Sequence, residues 1–411
     1  MSKTKHFDEL EIGDYVKEGY GPDHQLLVSD YPVLDEKDLD RLEEIGVYRC
    51  MVKTEGTRID PDLEASSSGE SATTTPSGSP DKATIAREAR DTYRRTLNRL
   101  ETIISSVHEN RKKASRLHQL KPFINRFIVY LKASDVSVSC LTQIKQYSNF
   151  TYHHSINVSL FCLLYGYRQG YEWDELREFG LGGLVHDIGK TRIAKRIIRK
   201  NADLTPKERS ILENHPIKGQ RILKKAGFGD NIQKIALQHH FRPDGSGYPD
   251  ISSEIHPWAR IVSVIDEYAR LMTPHSSEHR TNPTKAFLEL KKQFYHHEHT
   301  RPILENLIKY QGLYPVGSLV ELTNQDLAIV MENNFDNLRR PVVRIVNSDA
   351  TDNTGPDDYV VDLQHIKFQK RAVNRTIYDE SIRVERVVDY SHAPHLRQVA
   401  PNLIENYHKA S

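Results

Sequence analysis

Leu184-Val185-His186-Asp187-Ile188-Gly189-Lys190 sets a histidine and an aspartate side by side at the end of an apolar run, Gly183 to Val185, and closes on a lysine. A His-Asp pair emerging from an apolar helix is out of place on a solvated face and calls for partners elsewhere in the chain. Five further segments supply them: TYHHSINV (151–158), LENHPIKG (212–219), ALQHHF (236–241), DGSGYP (244–249) and ARIVSVIDEY (259–268). From His154 to His186 is 32 residues, then 29 to His215, 24 to His239, and 26 from His240 to Asp266. One candidate recurs per helix and loop, the spacing of ligands that project from different helices of one bundle into a shared interior. A single such histidine is more often a surface residue or a satisfied core residue; the joint pattern, set beside apolar stretches such as Ile261 to Ile265, reverses that reading.

Five imidazoles and two carboxylates without a thiolate suit iron or manganese, with zinc behind them, and do not suit soft Cu(I). The number of ligands fits a dinuclear site. Asp187 has two carboxylate oxygens and is expected to bridge the two cations. His154, His186 and Asp266 complete one of them and His215, His239 and His240 the other. Two cations held about 3.5 to 4 Å apart generate a bridging hydroxide near neutral pH and clamp the oxygens of an in-line phosphoryl displacement, which makes phosphodiester hydrolysis the reaction expected here. Lys190, four residues after His186, shares its face if the segment is helical and would bring an ammonium to a substrate phosphate; a solvated lysine is the ordinary alternative. In Arg242–Pro249 (RPDGSGYP) two glycines permit close backbone approach, and Asp244 caps or orients the turn. His153 reads as a bystander to His154, and His296, His297 and His299 as a solvated helix face.

The bulk numbers set the surroundings. A chain of 411 residues calls for two or three domains. Lys plus Arg is 57 against 56 for Asp plus Glu, a balance that suggests neither a nucleic-acid polymer nor a membrane surface as partner. Three scattered cysteines, Cys50, Cys140 and Cys162, fit neither a disulfide framework nor a thiolate zinc site and point to the cytoplasm. The N-terminus lacks the apolar core of a signal peptide, and no apolar run long enough to span a membrane occurs.

Residues 1–60 alternate short β-like runs (Gln25 to Val28, Tyr48 to Val52) with one helical pattern, Glu36 to Ile45, and read as a small α+β domain. Ala65 to Pro80 holds nine Ser or Thr in sixteen residues and cannot bury enough apolar surface to fold, so 61–82 is expected to be a flexible linker. Leu97, Leu100, Ile103, Ile104 and Val107 recur at helical steps, making 83–149 a helical connector that packs on its neighbours or on a second subunit. The all-α core occupies 150–311. Beyond Gly312, branched runs at Ser318–Leu322, Leu327–Met331 and Val342–Val346 mark a small β module and C-terminal tail over 312–411.

HDIGK, NHPIKG, HHF with RPDGSGYP, and the ARI…D segment together resemble the HD-GYP family of cyclic di-GMP phosphodiesterases. The likeness in the core spans about Phe150 to Arg280. Residues 1–60 and the Leu313–Val346 region also resemble the N-terminal domain and C-terminal β-extension found in some members. The resemblance implies a mainly α fold with an HD-type helical bundle core, and hydrolysis of cyclic di-GMP to pGpG and on to GMP with iron or manganese. It carries the metal-ligand role to His154, His186, Asp187, His215, His239, His240 and Asp266. Asp187 and Lys190 match catalytic positions, and Lys190, Arg242, Asp244, Gly247, Tyr248, Pro249 and Arg280 match the substrate side. Some members carry a glutamate four residues before the first histidine and hold a third metal; Phe150 stands there, so two divalent ions are expected. Phe241 replaces the usual glutamate after the paired histidines, Ala269 an aspartate, and Ser276–Arg280 departs from the usual arginine-rich segment. These departures keep open a cyclic dinucleotide-binding sensor or docking module with little or no catalysis, and hydrolysis of another cyclic dinucleotide. A homodimer and a signalling protein are the partners envisaged.

Overall fold

The chain divides at Asp81 in a computed structural model, giving units Met1–Asp81 and Lys82–Ser411. The structure describes residues 2–7, 10, 15–21, 26–32, 42, 47, 49–53, 82–109, 111–142, 150–198, 200, 203–250, 254–272, 283–346, 360–365, 371–373, 376–378 and 381–388. The expected linker and most of the Glu36–Ile45 helix lie outside them; Leu42 is helical and buried.

In the first unit β1 (Ser2–His6), β2 (Tyr15–Tyr20), β3 (Leu26–Pro32) and β4 (Arg49–Lys53) form an antiparallel sheet in the order β1-β4-β2-β3. The two strands expected from the sequence correspond to β3 and β4. β1 and β2 leave no such signal, because KTKH and KEG dilute their apolar alternation with charge. Val16, Cys50 and Val52 close over Leu42 and Val47 as the core of this unit.

The second unit begins with α1 (Lys82–Glu109), where Ile85, Ala89, Tyr93, Leu100, Ile103 and Val107 form a buried stripe at steps of three and four. A 3₁₀ segment (Arg111–Leu120), α2 (Lys121–Ala133) and α3 (Asp135–Leu141) follow. Then come α4 (Phe150–Arg168), α5 (Trp173–Val185), a 3₁₀ turn (Ile188–Arg192), α6 (Lys195–Ile198), α7 (Pro206–Glu213), α8 (His215–Lys225), α9 (Asp230–Gln238), α10 (Pro257–Met272), α11 (Pro283–Phe294) and α12 (Arg301–Gln311). Local chemistry explains several boundaries. Glu175 accepts from the Glu172 backbone N–H at the start of α5, Thr205 and Glu208 form a reciprocal capping box on α7, and proline opens α7, α8, α10 and α12. One cluster of buried apolar side chains runs from Ile85 on α1 to Leu307 on α12, so the helices read from sequence as a connector share the core of the bundle.

After Gly312, β5 (Leu319–Leu322), β6 (Leu327–Glu332), β7 (Val342–Ile345), β8 (Val360–Asp362) and β11 (Val384–Val387) form an antiparallel sheet in the order β11-β5-β6-β7-β8, with β9 (Arg371–Val373) and β10 (Thr376–Tyr378) paired separately. Period-two alternation puts Val320, Leu322, Val330 and Val343 on one face, and Leu319, Ile329 and Met331 on the other. The fold is mainly α: a helical bundle, preceded and followed along the chain by small antiparallel sheets.

Candidate metal centre

α4 and α5 approach closely because α5 carries glycine where it meets α4. A Cβ at Gly183 would lie 2.9 Å from Cys162 Sγ and 3.2 Å from Ser159 Cα. This approach brings the rings of His154 and His186 to 5.6 Å. Asp187, at φ −93°, ψ 7°, follows the His186 cap of α5 and starts the 3₁₀ segment, whose Gly189 packs directly on α8. His215 is the first residue of α8, His239 caps the end of α9 and His240 follows it; Asp266 projects from the buried face of α10.

Two groups of ligand atoms result, each within 4.8 Å: Asp187 with His215, His239 and His240, and His154 with His186 and Asp266. The Nε2–Oδ separations are 2.9 Å for His154–Asp266, 3.1 Å for His215–Asp187 and 3.6 Å for His239–Asp187. Asp187 links the groups, since its other oxygen, Oδ2, lies 3.3 Å from His186 Nε2. Several of these approaches lack hydrogen-bond geometry: His186 Nε2, Asp187 Oδ1 and His240 Nε2 are buried and make no hydrogen bond among the described residues. Neighbouring ligands about 2.1 Å from an octahedral cation sit about 3 Å apart. The donor set and its spacing therefore fit divalent cations.

The far side of three of the five rings supports the same reading. Nδ1 of His186 is 2.7 Å from the Gly183 carbonyl, Nδ1 of His215 is 2.8 Å from Leu212 O, and Nδ1 of His239 is 3.0 Å from Ala236 O. A ring that donates its Nδ1–H to a carbonyl presents the Nε2 lone pair inward. Burial pushes His239 down to about 4 and His240 well below the ordinary imidazole value, so both are neutral and able to ligate near pH 7. Burial opposes ionisation of Asp187 and Asp266. Lys190 and His186 outweigh it for Asp187, and the His154 hydrogen bond, with the nearby His186 ring, does so for Asp266, holding both carboxyls well below the usual range. Burial would also lower His186, but Asp187 and Asp266 raise it to about 10, so this ring would have to release its Nε2 proton when it ligates a cation.

Lys190 reaches back to Asp187, Nζ to Oδ2 at 2.5 Å, with 28% of its side chain exposed. In the RPDGSGYP turn, Asp244 accepts from the backbone N–H and hydroxyl of Ser246. Tyr248 stacks on His240 with ring centres 4.4 Å apart, and Tyr248–Pro249 is a cis peptide. Arg242 bonds Glu267 rather than the ligand cluster. Arg280 and the side chain of Phe150 lie outside the described residues. A Cβ at Gly247 would sit 2.5 Å from both His240 O and Arg242 N, backbone atoms that cannot swing away. Gly247→Ala is therefore expected to displace Tyr248 from His240 and lower kcat/KM by about a hundredfold, the loss that a misplacement of about 1 Å brings. Steady-state kinetics with metal analysis checks this; unchanged kcat/KM contradicts it.

Four features have no signal in the sequence. Gly189 is the contact point with α8. His153 is buried, with Nδ1 3.0 Å from the Tyr93 hydroxyl of α1. At the other end of α1, His108 Nδ1 lies 2.7 Å from Thr191 O while Arg192 donates to the carbonyls of Val107 and His108. Glu267 gathers two arginines. Each depends on residues 25 or more positions away meeting in space, except Arg270 with Glu267, which is one helical turn.

Comparison with known proteins gives a profile described as an HD domain that matches residues 143–298. The cyclic di-GMP phosphodiesterase PA4108 of Pseudomonas aeruginosa is 26% identical over 372 residues, covering 88% of this chain and 89% of that protein. A cyclic di-GMP phosphodiesterase of Thermotoga maritima is 37% identical over 112 residues, covering 26% of this chain and 30% of that one. The 3'3'-cGAMP-specific phosphodiesterase 1 of Vibrio cholerae is 28% identical over 153 residues, covering 36% and 35%. Among solved structures, Bd1817, an HDG"Y"P protein from Bdellovibrio bacteriovorus, aligns with a TM-score of 0.44 at 15% identity, covering 75% of this chain and 98% of that one.

Proposed function

This chain belongs to the HD-GYP family, and from that premise we propose that it is a metal-dependent phosphodiesterase that hydrolyses cyclic di-GMP to pGpG and then GMP. The observation that carries the reading is the pair of buried His/Asp groups joined through Asp187. We assign two divalent ions to them, iron first and manganese second. When bound, such a pair supplies an activated water and neutralises charge on the phosphoryl oxygens.

The remaining steps belong to the chain's own residues. His154, His186 and Asp266 would hold one ion, His215, His239 and His240 the other, and Asp187 would serve both. Lys190, tethered by Asp187 and partly exposed, offers N–H donors to a non-bridging phosphate oxygen. Gly247 lets the turn lie against the His240 backbone, and Tyr248 covers the His240 ring and excludes water from that side. Arg242 and Arg280 are assigned to substrate anions, and Asp244 and Pro249 to the shape of the turn.

The seven ligands with their buried approach, and relatives named as phosphodiesterases, support turnover over a binding-only module. Phe241 and Ala269 leave these ligand contacts in place. We further propose that 1–60 is a separate input domain followed by a linker, that the chain acts in the cytoplasm, where three free cysteines are at home, and that a homodimer or a signalling protein engages it. No helix among the described residues is long and apolar enough to cross a membrane.

The test is anaerobic purification, loading with iron or manganese, and chromatography of cyclic di-GMP and 3'3'-cGAMP reactions. Metal-loaded protein is expected to convert cyclic di-GMP to pGpG with about two metal ions per chain, and chelator-stripped protein is expected to convert none. No conversion with either metal overturns the reading; preference for 3'3'-cGAMP reassigns the substrate.

A further inference from the structure

We infer that Glu267 is a positioning residue for substrate recognition: it holds Arg242 of the RPDGSGYP turn in a fixed orientation beside the metal-ligand cluster. The inference rests on the phosphodiesterase reading above. Glu267 follows Asp266 on α10, and its side chain is only 7% exposed. A carboxylate taken out of water is tolerated when charged donors fill its oxygens. Among the described residues, four donors do so here. Arg270 Nη2 and Gln293 Nε2 reach Oε1 at 2.5 and 3.3 Å; Arg270 Nε and Arg242 Nη2 reach Oε2 at 3.1 and 3.3 Å.

The two arginines are not equivalent. Arg270 makes both of the shorter, charge-assisted bonds and neutralises the carboxylate from its own helix. Arg242 makes one longer bond, so its positive charge remains available to an anion. Its guanidinium is located from three sides: the carboxylate of α10, the Phe241 carbonyl at 2.9 Å, and the ring of Phe294 on α11 at 5.4 Å. A planar cation pinned in this way loses little conformational freedom when it pairs with a phosphate. The turn that carries Arg242 also carries Tyr248, stacked on His240, and Glu267 follows Asp266 on α10, so both members of the Arg242–Glu267 pair are tied to residues of the cluster. Phe241, next in the chain, offers no carboxylate, and Glu267 is the acid that Arg242 meets.

The test is a double-mutant cycle on the metal-loaded full chain, with cyclic di-GMP kinetics, metal content and thermal melting measured for wild type, Glu267→Gln, Arg242→Ala and the double variant. Glu267→Gln is expected to raise KM about tenfold, with kcat within about twofold and metal content unchanged, the effect of loosening one charge-assisted contact. In the Arg242→Ala background the same change is expected to leave KM unaltered, because a residue acting through Arg242 has nothing left to position. Should Glu267→Gln not fold, Glu267→Asp takes its place in the cycle: it keeps the charge while withdrawing it by one methylene, and is expected to raise KM less. An unchanged KM in the single variant, or an equal rise in both backgrounds, overturns the inference while the function stands. A wild type that hydrolyses no cyclic dinucleotide defeats the function and this inference together.

Discussion

Asp187→Ala is expected to lower cyclic di-GMP turnover by about a thousandfold or more. Its Oδ1 lies 3.1 Å from His215 Nε2 and its Oδ2 3.3 Å from His186 Nε2, so this one side chain joins the two ligand groups. Oδ2 also tethers Lys190. Removing it takes the shared ligand from both positions and frees the lysine meant for the phosphate. Clamping of phosphoryl charge by a metal pair is worth several kcal/mol, and about 4 kcal/mol corresponds to a factor near a thousand. Metal content should fall with turnover, while the fold persists, since the apolar core from Ile85 to Leu307 does not include Asp187. Chromatographic assay, metal analysis and circular dichroism measure these together. Retained turnover with full metal loading contradicts the bridging role.

Gly189→Ala is expected to disable the site by a different route. A Cβ at residue 189 would lie 1.9 Å from His215 O and 2.6 Å from Gly219 N, so α8 would have to move away from the 3₁₀ turn. Both obstacles are backbone atoms of a packed helix, and no rotamer change relieves the clash. The cost is about 3 kcal/mol or more, a large share of the stability of a domain. The displacement also carries His215 away from Asp187, so metal loss is expected even in the fraction that stays folded. A thermal melt together with metal analysis checks both parts; a variant with wild-type Tm and metal content would show that the turn and α8 tolerate separation. Gly219→Ala is milder, because its Cβ meets Gly189 N at 3.4 Å, an ordinary contact.

Much of the helical bundle and of its ligand set is legible in the sequence. The helical middle shows itself through spacing: apolar steps of three and four put Leu100, Ile103 and Val107 on one buried stripe. The β module after Gly312 shows itself through branched runs cut by turn residues, and its strands β5 to β7 fall at the expected places. The candidate ligand set is readable because His and Asp recur once per helix beside apolar residues. By contrast, the charged strands Ser2–His6 and Tyr15–Tyr20 are not legible, since their pairing in a four-stranded sheet, rather than their own alternation, makes them strands. In the region 83–149, α1, α2 and the 3₁₀ segment between them lend Tyr93, Leu117 and Phe127 to the same core as the helices that carry the candidate ligands, a packing partner that periodicity alone does not identify.

The sequence by itself determined which side chains could bind metal and in what helical rhythm they occur, because ligand chemistry and periodicity are local properties of a chain. The division into two groups with Asp187 between them was also an expectation from the sequence, and the two clusters of side chains agree with it. Only the tertiary structure decided that Gly189 and Gly183 set the helix separations, and that Glu267 rather than a neighbour of His240 meets Arg242. Those outcomes depend on which helix lies against which and at what distance, and close packing between residues far apart in the chain leaves no periodic mark in the sequence.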